Sequence, residues 1–275
     1  MFMIMKENHT VFKPEVQSRV QDHYNESLEF FDSNHIVGIF LQGSQNYGLE
    51  TSSSDVDTKL ITLPTFEEIA FNKKPISTTH VRANNEHIDF KDVRLYMQTF
   101  RKQNLNFLEI LFTQYKILNP TYAEDWQKLI DNREKIARYH LPQAMNSMRG
   151  IAHTKYAALE HYFEGKEDIL AKYGYDPKQL HHLLRVEDYI ERYIAGESYE
   201  SCLHPSNPRH LLDVKLGKYD LTYARQAAAM ALIHVDEMCD KFLETCSKEK
   251  NAEVDVLLDE VQLSMMKKSV REDLK

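Results

Sequence analysis

The sequence changes character near Asn119-Pro120, and this change limits the folds that the chain can adopt. Apolar runs of β type occur before this point. Ile36–Leu41 is continuous and partly β-branched, as is typical of a buried strand. Asp57–Leu63 predicts a second strand, and His87–Phe90 predicts a third that pairs with Thr78–Arg82 across an Asn-Asn turn. We therefore expect a small mixed sheet in the first part of the chain.

Helical spacing of apolar residues dominates after Pro120. Asp176 before Pro177 and Asp220 before Leu221 are typical of helix starts. The predicted helices after Pro120 are Ala123–Tyr139, Pro142–Phe163, Pro177–Ala195, Arg209–Leu216 and Leu221–Thr245, and those among the strands are Phe66–Ala70 and Asp92–Gln103. The charged tail from Glu249 is either a docked final helix or a frayed one. The fold class expected is α/β (α+β), with a sheet-containing domain over residues 1–118 and an all-helical domain over residues 119–275.

Composition excludes several other architectures. Eight glycines in 275 residues are about 3%, against about 7% on average, so a Gly-rich sandwich or propeller is not expected. No stretch reaches the ~20 apolar residues of a membrane-spanning helix, and three scattered cysteines predict no disulfide framework. We therefore expect a cytoplasmic protein with no membrane partner. The formal net charge of −8 means that any nucleic acid must bind a local basic patch.

One segment, GSQNYGLETSSSDVDTK, combines features of a phosphate site and a metal site. Gly43-Ser44 follows the first predicted strand in a short turn, where backbone N–H groups and a serine hydroxyl favour an anion such as phosphate. Gly48 either permits a turn with positive φ or lets a ligand approach the backbone. Asp55 and Asp57 are two residues apart, so on a strand both project from one face. Adjacent carboxylates repel each other unless a cation lies between them, and Mg²⁺ is the natural occupant.

A third carboxylate would complete a site for two-metal transfer of a phosphoryl or nucleotidyl group. Asp89 is the strongest candidate, because a charge between two strand hydrophobes requires a partner. Glu86 and Asp92 are the reserves. Lys59 shares a predicted strand face with Asp57, so a plain ion pair between these two side chains is the alternative to a metal role.

The pattern GSxxxG followed by SDxD resembles the nucleotidyltransferases of the DNA polymerase β superfamily. VRLYMQTFRKQNLNFLEILF is similar to the segment that follows the third carboxylate in the RNA-ligase-associated branch, with Leu105 where that branch usually has proline. Lys178, His182 and Arg185 match its Lys-x-x-x-His-x-x-Arg helix. Lys215 opens a match to its later Lys/Arg-x-Gly-x-Tyr segment.

The resemblance implies a polymerase-β-like nucleotidyltransferase domain over residues 1–118 and a helical domain over residues 119–275 that closes the cleft and binds substrate. It also implies Mg²⁺-dependent, or Mn²⁺-dependent, transfer of a nucleoside monophosphate from an NTP to an acceptor, with RNA favoured (a tRNA or an RNA end). The residues implied to bind metal and carry catalysis are Asp55, Asp57 and Asp89. Those implied to bind the nucleotide phosphates are Gly43, Ser44, Gly48, Lys178, His182, Arg185 and Lys215.

Several plainer interpretations stay open. Lys178, His181, His182 and Arg185 are spaced so that all four share one helix face, which either binds phosphate or RNA or is a solvated surface. Arg149, His153 and Lys155 would extend that basic patch. Glu109, inside an apolar helix, fits a structural salt bridge better than a catalytic role. Two other functions also remain: transfer of the nucleotide to a protein or small molecule, and a non-catalytic nucleotide-binding module.

Overall fold

The computed structural model describes residues 11–52, 54–162 and 164–275, and its centre is a five-stranded sheet. The strands are β1 Ile36–Gln42, β2 Asp57–Thr62, β3 Ser77–Val81, β4 His87–Asp92 and β5 Lys116–Leu118. Their order across the sheet is β3-β4-β2-β1-β5. β2 and β4 pair in parallel, whereas the other neighbouring pairs are antiparallel. The small mixed sheet expected from the sequence is confirmed.

Helices make up most of the remaining chain. Those before Pro120 are α1 Pro14–Ser27, α2 Phe66–Ala70, α3 Val93–Arg101 and α4 Leu105–Leu108. Those after it are α5 Ala123–Asp131, α6 Arg133–Ala137, α7 Leu141–Ala157, α8 Glu167–Tyr173, α9 Pro177–Ile194, α10 Tyr199–Leu203, α11 Pro208–Lys215, α12 Leu221–Thr245 and α13 Ala252–Asp273. In the part of the chain that the structure describes, regular elements after Pro120 are all helical. The mixed α+β class with a helical C-terminal part is therefore confirmed.

Several predicted elements differ from those observed. The single helix predicted over Ala123–Tyr139 is interrupted at Asn132, and α5 and α6 lie on either side. The predicted Pro142–Phe163 helix ends earlier, at Ala157, and Phe163 lies outside the described residues. The charged tail forms α13, which buries Val254, Leu258, Val261 and Met265 on one side. These four residues follow helical spacing, so the docked alternative for the tail is correct.

The two faces of the sheet bury different groups because successive strand residues alternate. One face packs against α1, where Val16 and Val20 join a cluster with Ile39, Leu60 and Ile88. The opposite face carries Phe40, whose ring centroid lies 4.3 Å from that of Trp126 in α5. With both faces of β1 covered, a continuous apolar run such as IVGIFL is what the fold requires.

The chain forms two compact units. Unit 1 contains the described residues up to Tyr96, together with Glu109–Ile130 and Asp259–Lys275. Unit 2 contains Met97–Leu108 and Asp131–Leu258. The sheet and α1 belong to unit 1, and α7, α9 and α12 belong to unit 2. Each unit therefore includes sequence from both sides of residue 118.

The last residues of α13 are tied into unit 1 by polar contacts. Asp273 Oδ1 lies 2.8 Å from His35 Nε2, and its Oδ2 accepts the Phe66 N–H at 2.6 Å. Lys268 forms an ion pair with the buried Asp125 at 2.8 Å. The segment Asp259–Lys275 is therefore an integral part of unit 1.

In unit 2, α9 packs against α7, α11 and α12. Its N-terminus is capped by Asp176, which accepts the Lys178 N–H at 2.9 Å. Asp220 caps α12 by accepting the Tyr223 N–H at 2.8 Å. Both helix starts read from the sequence are confirmed. Across the described ranges, no helix has the length and apolar character required to cross a bilayer.

Candidate active site at one edge of the sheet

The predicted phosphate turn and the second aspartate of the SDxD motif lie next to each other at one edge of the sheet. Gln42, the last residue of β1, is the register partner of Asp57, the first residue of β2. Gly43 therefore leaves β1 where Asp57 enters β2. Because β4 runs parallel to β2, its first residue, His87, also lies at this edge. The fold brings together the two parts of the motif that the sequence separates by more than ten residues.

The Gly43-Ser44 turn has a well-defined backbone. Gly43 has φ +92° and Gly48 has φ +70°, values that residues with a Cβ rarely adopt. Between them Ser44–Asn46 forms one turn of 3₁₀ helix. Asn46 donates to the Leu41 carbonyl at 3.1 Å and accepts the Thr113 hydroxyl at 2.6 Å. The turn reading of Gly48 fits this backbone, and its contact with a ligand stays a prediction.

Glu109 is the acceptor for the first N–H of this turn. The Gly43 N–H donates to Glu109 Oε1 at 2.9 Å, and the Glu109 side chain is buried. A protein carboxylate therefore occupies the position where an anion was expected at Gly43. This contact explains why an acidic residue is tolerated within an apolar helical segment. The phosphate-binding role of Gly43 and Ser44 stays a prediction.

Asp55 and Asp57 have different surroundings. β2 begins at Asp57, so Asp55 precedes the strand and is exposed. The expectation that strand alternation orients both carboxylates is therefore wrong. Asp57 Oδ1 accepts the His87 N–H at 3.0 Å and lies 3.1 Å from His87 Nδ1. Because a carboxylate only accepts, Nδ1 is the protonated nitrogen of His87 when this second bond forms.

Asp89 lies on the same sheet face as Asp57 and is paired with Lys59, its register partner on β2. Lys59 Nζ donates to Asp89 Oδ2 at 3.0 Å, and the Thr79 hydroxyl donates to Oδ1 at 2.6 Å. Burial alone would raise the pKa of Asp89, but the Lys59 charge and the Thr79 hydrogen bond outweigh it and lower that pKa. Asp89 is thus ionised at neutral pH. The buried Lys59 pairs with Asp89, whereas the sequence suggested Asp57.

The two reserve carboxylates have other partners. Asp92 accepts three hydrogen bonds from Arg94, at 2.7 to 2.9 Å. Glu86 is buried among donors from several elements and accepts the Val56 N–H at 3.0 Å. Both side chains therefore have hydrogen-bond donors within the protein as partners.

The donor set at the edge suits a hard cation. Within residues 11–52, 54–162 and 164–275, no three His, Cys, Asp or Glu side chains are grouped to hold a metal ion. Asp55 and Asp57 still supply carboxylate oxygens, which are the ligands that Mg²⁺ prefers. Both contacts of Asp57 with His87 use Oδ1. We call Asp55, Asp57 and Asp89 the carboxylate edge.

The helix face predicted to bind phosphate is less exposed than a solvated surface. Lys178 is exposed, but His181 and Arg185 are buried. His181 Nδ1 lies 2.9 Å from the Leu211 carbonyl, so it carries the proton and donates. Burial is the main cause that lowers the pKa of His181 to about 4, and the positive charges of Arg185 and Lys215 act in the same direction. His181 is therefore neutral at pH 7.

Positive charges surround His182 on this face. Burial lowers the pKa of His182 well below its usual value, and the charges of Arg185, Lys155 and Lys178 lower it further. Burial also lowers the pKa of Lys155 on α7, again with a contribution from Lys178. We call Lys155, Lys178, His182 and Arg185 the cationic face. The repulsion among Lys155, Lys178 and Arg185 would be reduced by a bound anion.

The rest of the predicted basic patch is neutralised within unit 2. Arg149 pairs with Asp236 and Asp240, and His153 lies 2.9 Å from Asp236. Lys155 is thus the residue of that group that joins the cationic face. Lys215, the last residue of α11, is half-buried and acts electrostatically on His181.

Comparisons with known proteins give structural similarity but no match of sequence family. No protein-family model and no curated protein matches the chain. Among solved structures, the chain is similar to a nucleotidyltransferase-like protein from Exiguobacterium sibiricum 255-15, with 14% sequence identity and a TM-score of 0.28. The similarity covers 90% of this chain and 88% of that one. A TM-score at this level assigns neither family nor function.

Sequence reasoning missed one residue that the structure places at the edge. His87 contacts Asp57 because β2 and β4 are in parallel register, and no local signal in the sequence indicates this contact. Lys155, which the sequence predicted as an extension of the basic patch, belongs to the cationic face because α7 packs on α9 in unit 2.

Proposed function

We propose that this protein is a cytoplasmic nucleotidyltransferase of the polymerase β superfamily, close to its RNA-ligase-associated branch. It transfers a nucleoside monophosphate from an NTP to an acceptor hydroxyl and releases pyrophosphate, with Mg²⁺ as the metal and RNA as the favoured acceptor. One observation carries the proposal: the Gly43-Ser44 turn and Asp57 are adjacent across the β1–β2 pair. A phosphate turn beside carboxylates is the equipment that this chemistry needs.

Asp55 and Asp57 would hold the metal in this proposal. Bound Mg²⁺ polarises the transferring phosphoryl group and favours the ionised form of the attacking hydroxyl. Asp89, which its partners keep ionised, would complete the metal site, although its lowered pKa makes it a weak acceptor for the proton of that hydroxyl. His87 holds Asp57 through Oδ1, which fixes the orientation of that carboxylate.

In unit 1, the Ser44 hydroxyl and the backbone of the turn that Gly43 and Gly48 shape would bind the phosphates of the NTP. In unit 2, the cationic face together with Lys215 would bind a phosphate group. The positive charges of Arg185, Lys155 and Lys178 near His182 support an anionic ligand in that unit.

The proposal is tested by transfer of label from each α-³²P NTP, with Mg²⁺, to total RNA and to the protein fraction of a lysate. We expect labelled RNA from the wild-type protein and none from Asp57→Asn, in which the asparagine oxygen can still accept the His87 N–H. Asp22→Asn, which changes an exposed aspartate on α1, is the matched control and should retain activity. Full activity of Asp57→Asn would contradict the proposal.

The same experiment separates the alternatives. Label on protein would indicate a protein-modifying enzyme, and NTP binding without a labelled product would indicate a binding module.

A binding measurement tests the RNA acceptor separately. The affinity of the protein for tRNA should fall steeply as the salt concentration is raised, because binding releases counterions from the RNA and this release is less favourable at high salt. Affinity that is independent of salt would argue against RNA.

A further inference from the structure

Glu86 connects several elements through one buried carboxylate. It lies just before β4 and is 1% exposed. Its Oε1 accepts the Val56 N–H at 3.0 Å. Its Oε2 accepts from Asn84 Nδ2 at 2.8 Å and from Arg82 Nη1 at 3.0 Å, and lies 3.0 Å from His23 Nε2. The carboxylate is therefore fully used within the protein.

The contact with Val56 bears directly on the carboxylate edge. Val56 stands between Asp55 and Asp57, and its side chain is completely buried in the cluster beneath the sheet. With its side chain in the core and its N–H on Glu86, Val56 has little freedom to rotate. The backbone on both sides of it, and thus the direction of the two aspartates, is fixed by the same constraint.

A second path leads from Glu86 to the other neighbour of Asp57. His23 Nδ1 lies 2.9 Å from the Thr58 hydroxyl oxygen. Burial is the main cause that lowers the pKa of His23 to about 4, so the ring is neutral at pH 7. The carboxylate only accepts, so His23 donates from Nε2 to Glu86 and accepts the Thr58 hydroxyl at Nδ1. Both residues that flank Asp57 are therefore linked to Glu86.

Two arginines offset the free-energy cost of burying the Glu86 carboxylate. Arg82 and Arg19 both form ion pairs with Glu86. A buried ion pair of this kind is a poor source of net stability, because desolvation offsets most of the attraction. Its effect on geometry is greater, because the carboxylate has a fixed position relative to α1, β2 and β4.

We propose that Glu86 is a positioning residue that sets the orientation of Asp55 and Asp57 for metal binding. The inference rests on the proposed function. Glu86 acts through the Val56 N–H and through the His23–Thr58 pair, and it does not contact substrate or metal itself. Residues of this type commonly change metal affinity by about 10- to 100-fold when they are removed.

Amide exchange of the wild-type protein gives the first test, without a ligand or a variant. Val56 precedes β2, so its protection depends on Glu86 rather than on a strand partner. We expect the Val56 amide, observed by NMR in ¹⁵N-valine-labelled protein, to exchange about a hundredfold more slowly than an unstructured amide. Exchange at the unstructured rate would overturn the proposal.

Mn²⁺ binding gives the second test, measured by water-proton relaxation with the metal alone. Glu86→Ala removes the acceptor and should weaken Mn²⁺ binding about tenfold or more. Glu86→Gln keeps an oxygen for the Val56 N–H, but its amide nitrogen cannot accept from Arg82, Asn84 and His23, so Mn²⁺ binding should lie between that of wild type and that of Glu86→Ala. The exchange of the Val56 amide should follow the same order.

Asp92→Asn is the matched control. Asp92 is also buried and paired with an arginine, but it ends β4 at the far side from the carboxylate edge. It should lower the Tm as Glu86→Ala does and leave the Mn²⁺ Kd within about twofold of wild type. An equal loss of Mn²⁺ affinity in Asp92→Asn would show that only overall stability is involved, and would overturn the proposal.

The outcomes separate this inference from the proposed function. Mn²⁺ affinity that survives Glu86→Ala unchanged overturns the role of Glu86 and leaves the proposed function standing. If the wild-type protein binds no Mn²⁺, the proposed function is contradicted, and the role of Glu86 in orienting metal ligands is overturned with it. If Glu86→Ala does not fold, Glu86→Gln and the Val56 exchange in wild-type protein still decide the question.

Discussion

The carboxylate edge of unit 1 and the cationic face of unit 2 differ in the charges that surround their partly buried ionisable side chains. At the edge, Asp89 pairs with Lys59 and Asp57 contacts His87. On the cationic face, burial and the nearby charges of Arg185, Lys155 and Lys178 oppose protonation of His182. Asp57 and Asp89 at the edge thus contact donors within the protein, whereas like charges lie close together on the cationic face, where an added anion would reduce their repulsion. The first region should therefore be rigid without ligand, and the second should respond to one.

Breaking the internal balance at the edge should have the largest effect on stability. Lys59→Met leaves Asp89 without its buried cationic partner, and we expect a loss of about 3 kcal/mol in the free energy of unfolding, below the upper range for a fully buried pair because Asp89 is partly exposed. Urea unfolding measures it. The double variant Lys59→Met/Asp89→Asn should recover most of the loss. Equal stability of the single variant and wild type would show that the ion pair is not a structural element.

Acid should weaken unit 2 through His181. Its pKa is about 4 in the folded protein and about 6.5 when unfolded, so the unfolded chain binds the proton first as pH falls. Stability is full above pH 6.5 and falls toward pH 4, by about 2.5 kcal/mol at pH 4.5 from this residue. His181→Gln should remove that part of the pH dependence in urea unfolding measured from pH 7 to pH 4.5. If the free energy of unfolding of His181→Gln fell with pH as steeply as that of wild type, other residues would be responsible for the acid sensitivity.

Removing the hydrogen-bond acceptor of the Gly43 N–H should lower the free energy of unfolding by a smaller amount than the loss of Lys59. Glu109→Ala leaves the Gly43 N–H without its carboxylate, which should destabilise the protein by about 2 kcal/mol. Glu109→Gln still offers an oxygen and should stay within about 0.5 kcal/mol of wild type. Urea unfolding of the three proteins is the measurement. Equal losses in both variants would mean that the negative charge, and not the hydrogen bond, matters.

The smallest expected change in stability is the one produced by an anion that binds the cationic face. Pyrophosphate at ten times its Kd should stabilise the protein by about 1.4 kcal/mol, observed as a rise in Tm at constant ionic strength. Lys178→Gln should weaken the response, whereas Lys241→Gln, which removes an exposed lysine on α12, should not. A response of the same size in both variants would indicate general anion binding.

Elements with an apolar core face were predictable from the sequence, and α1 shows why others were not. Its buried positions are Val16, Val20, His23 and Ser27, at helical spacing, but two of the four are polar. Hydrophobic periodicity therefore misses the helix. His23 is stable there because Thr58 and Glu86, distant in sequence, are its partners. A local pattern cannot contain that information.

In the candidate site, too, contacts between residues that are distant in sequence could not be predicted from local patterns. The motif placed Gly43, Asp57 and Asp89 in one region, and the strand register agrees with that grouping. The partner of Lys59 was not predictable, because Asp57 and Asp89 lie on the same face and only the β2–β4 register brings Asp89 opposite Lys59. Pairing across strands is a property of the tertiary fold, and strand alternation alone does not specify it.

The place of Asp259–Lys275 in unit 1 has a consequence for the order of folding. These residues follow all of unit 2 in the chain, yet they supply Asp273 to His35 and Lys268 to Asp125. During synthesis from the N-terminus, domains generally fold as they emerge from the ribosome. Unit 2 can therefore assemble co-translationally before unit 1 is complete, because unit 1 still requires the contacts of Asp259–Lys275.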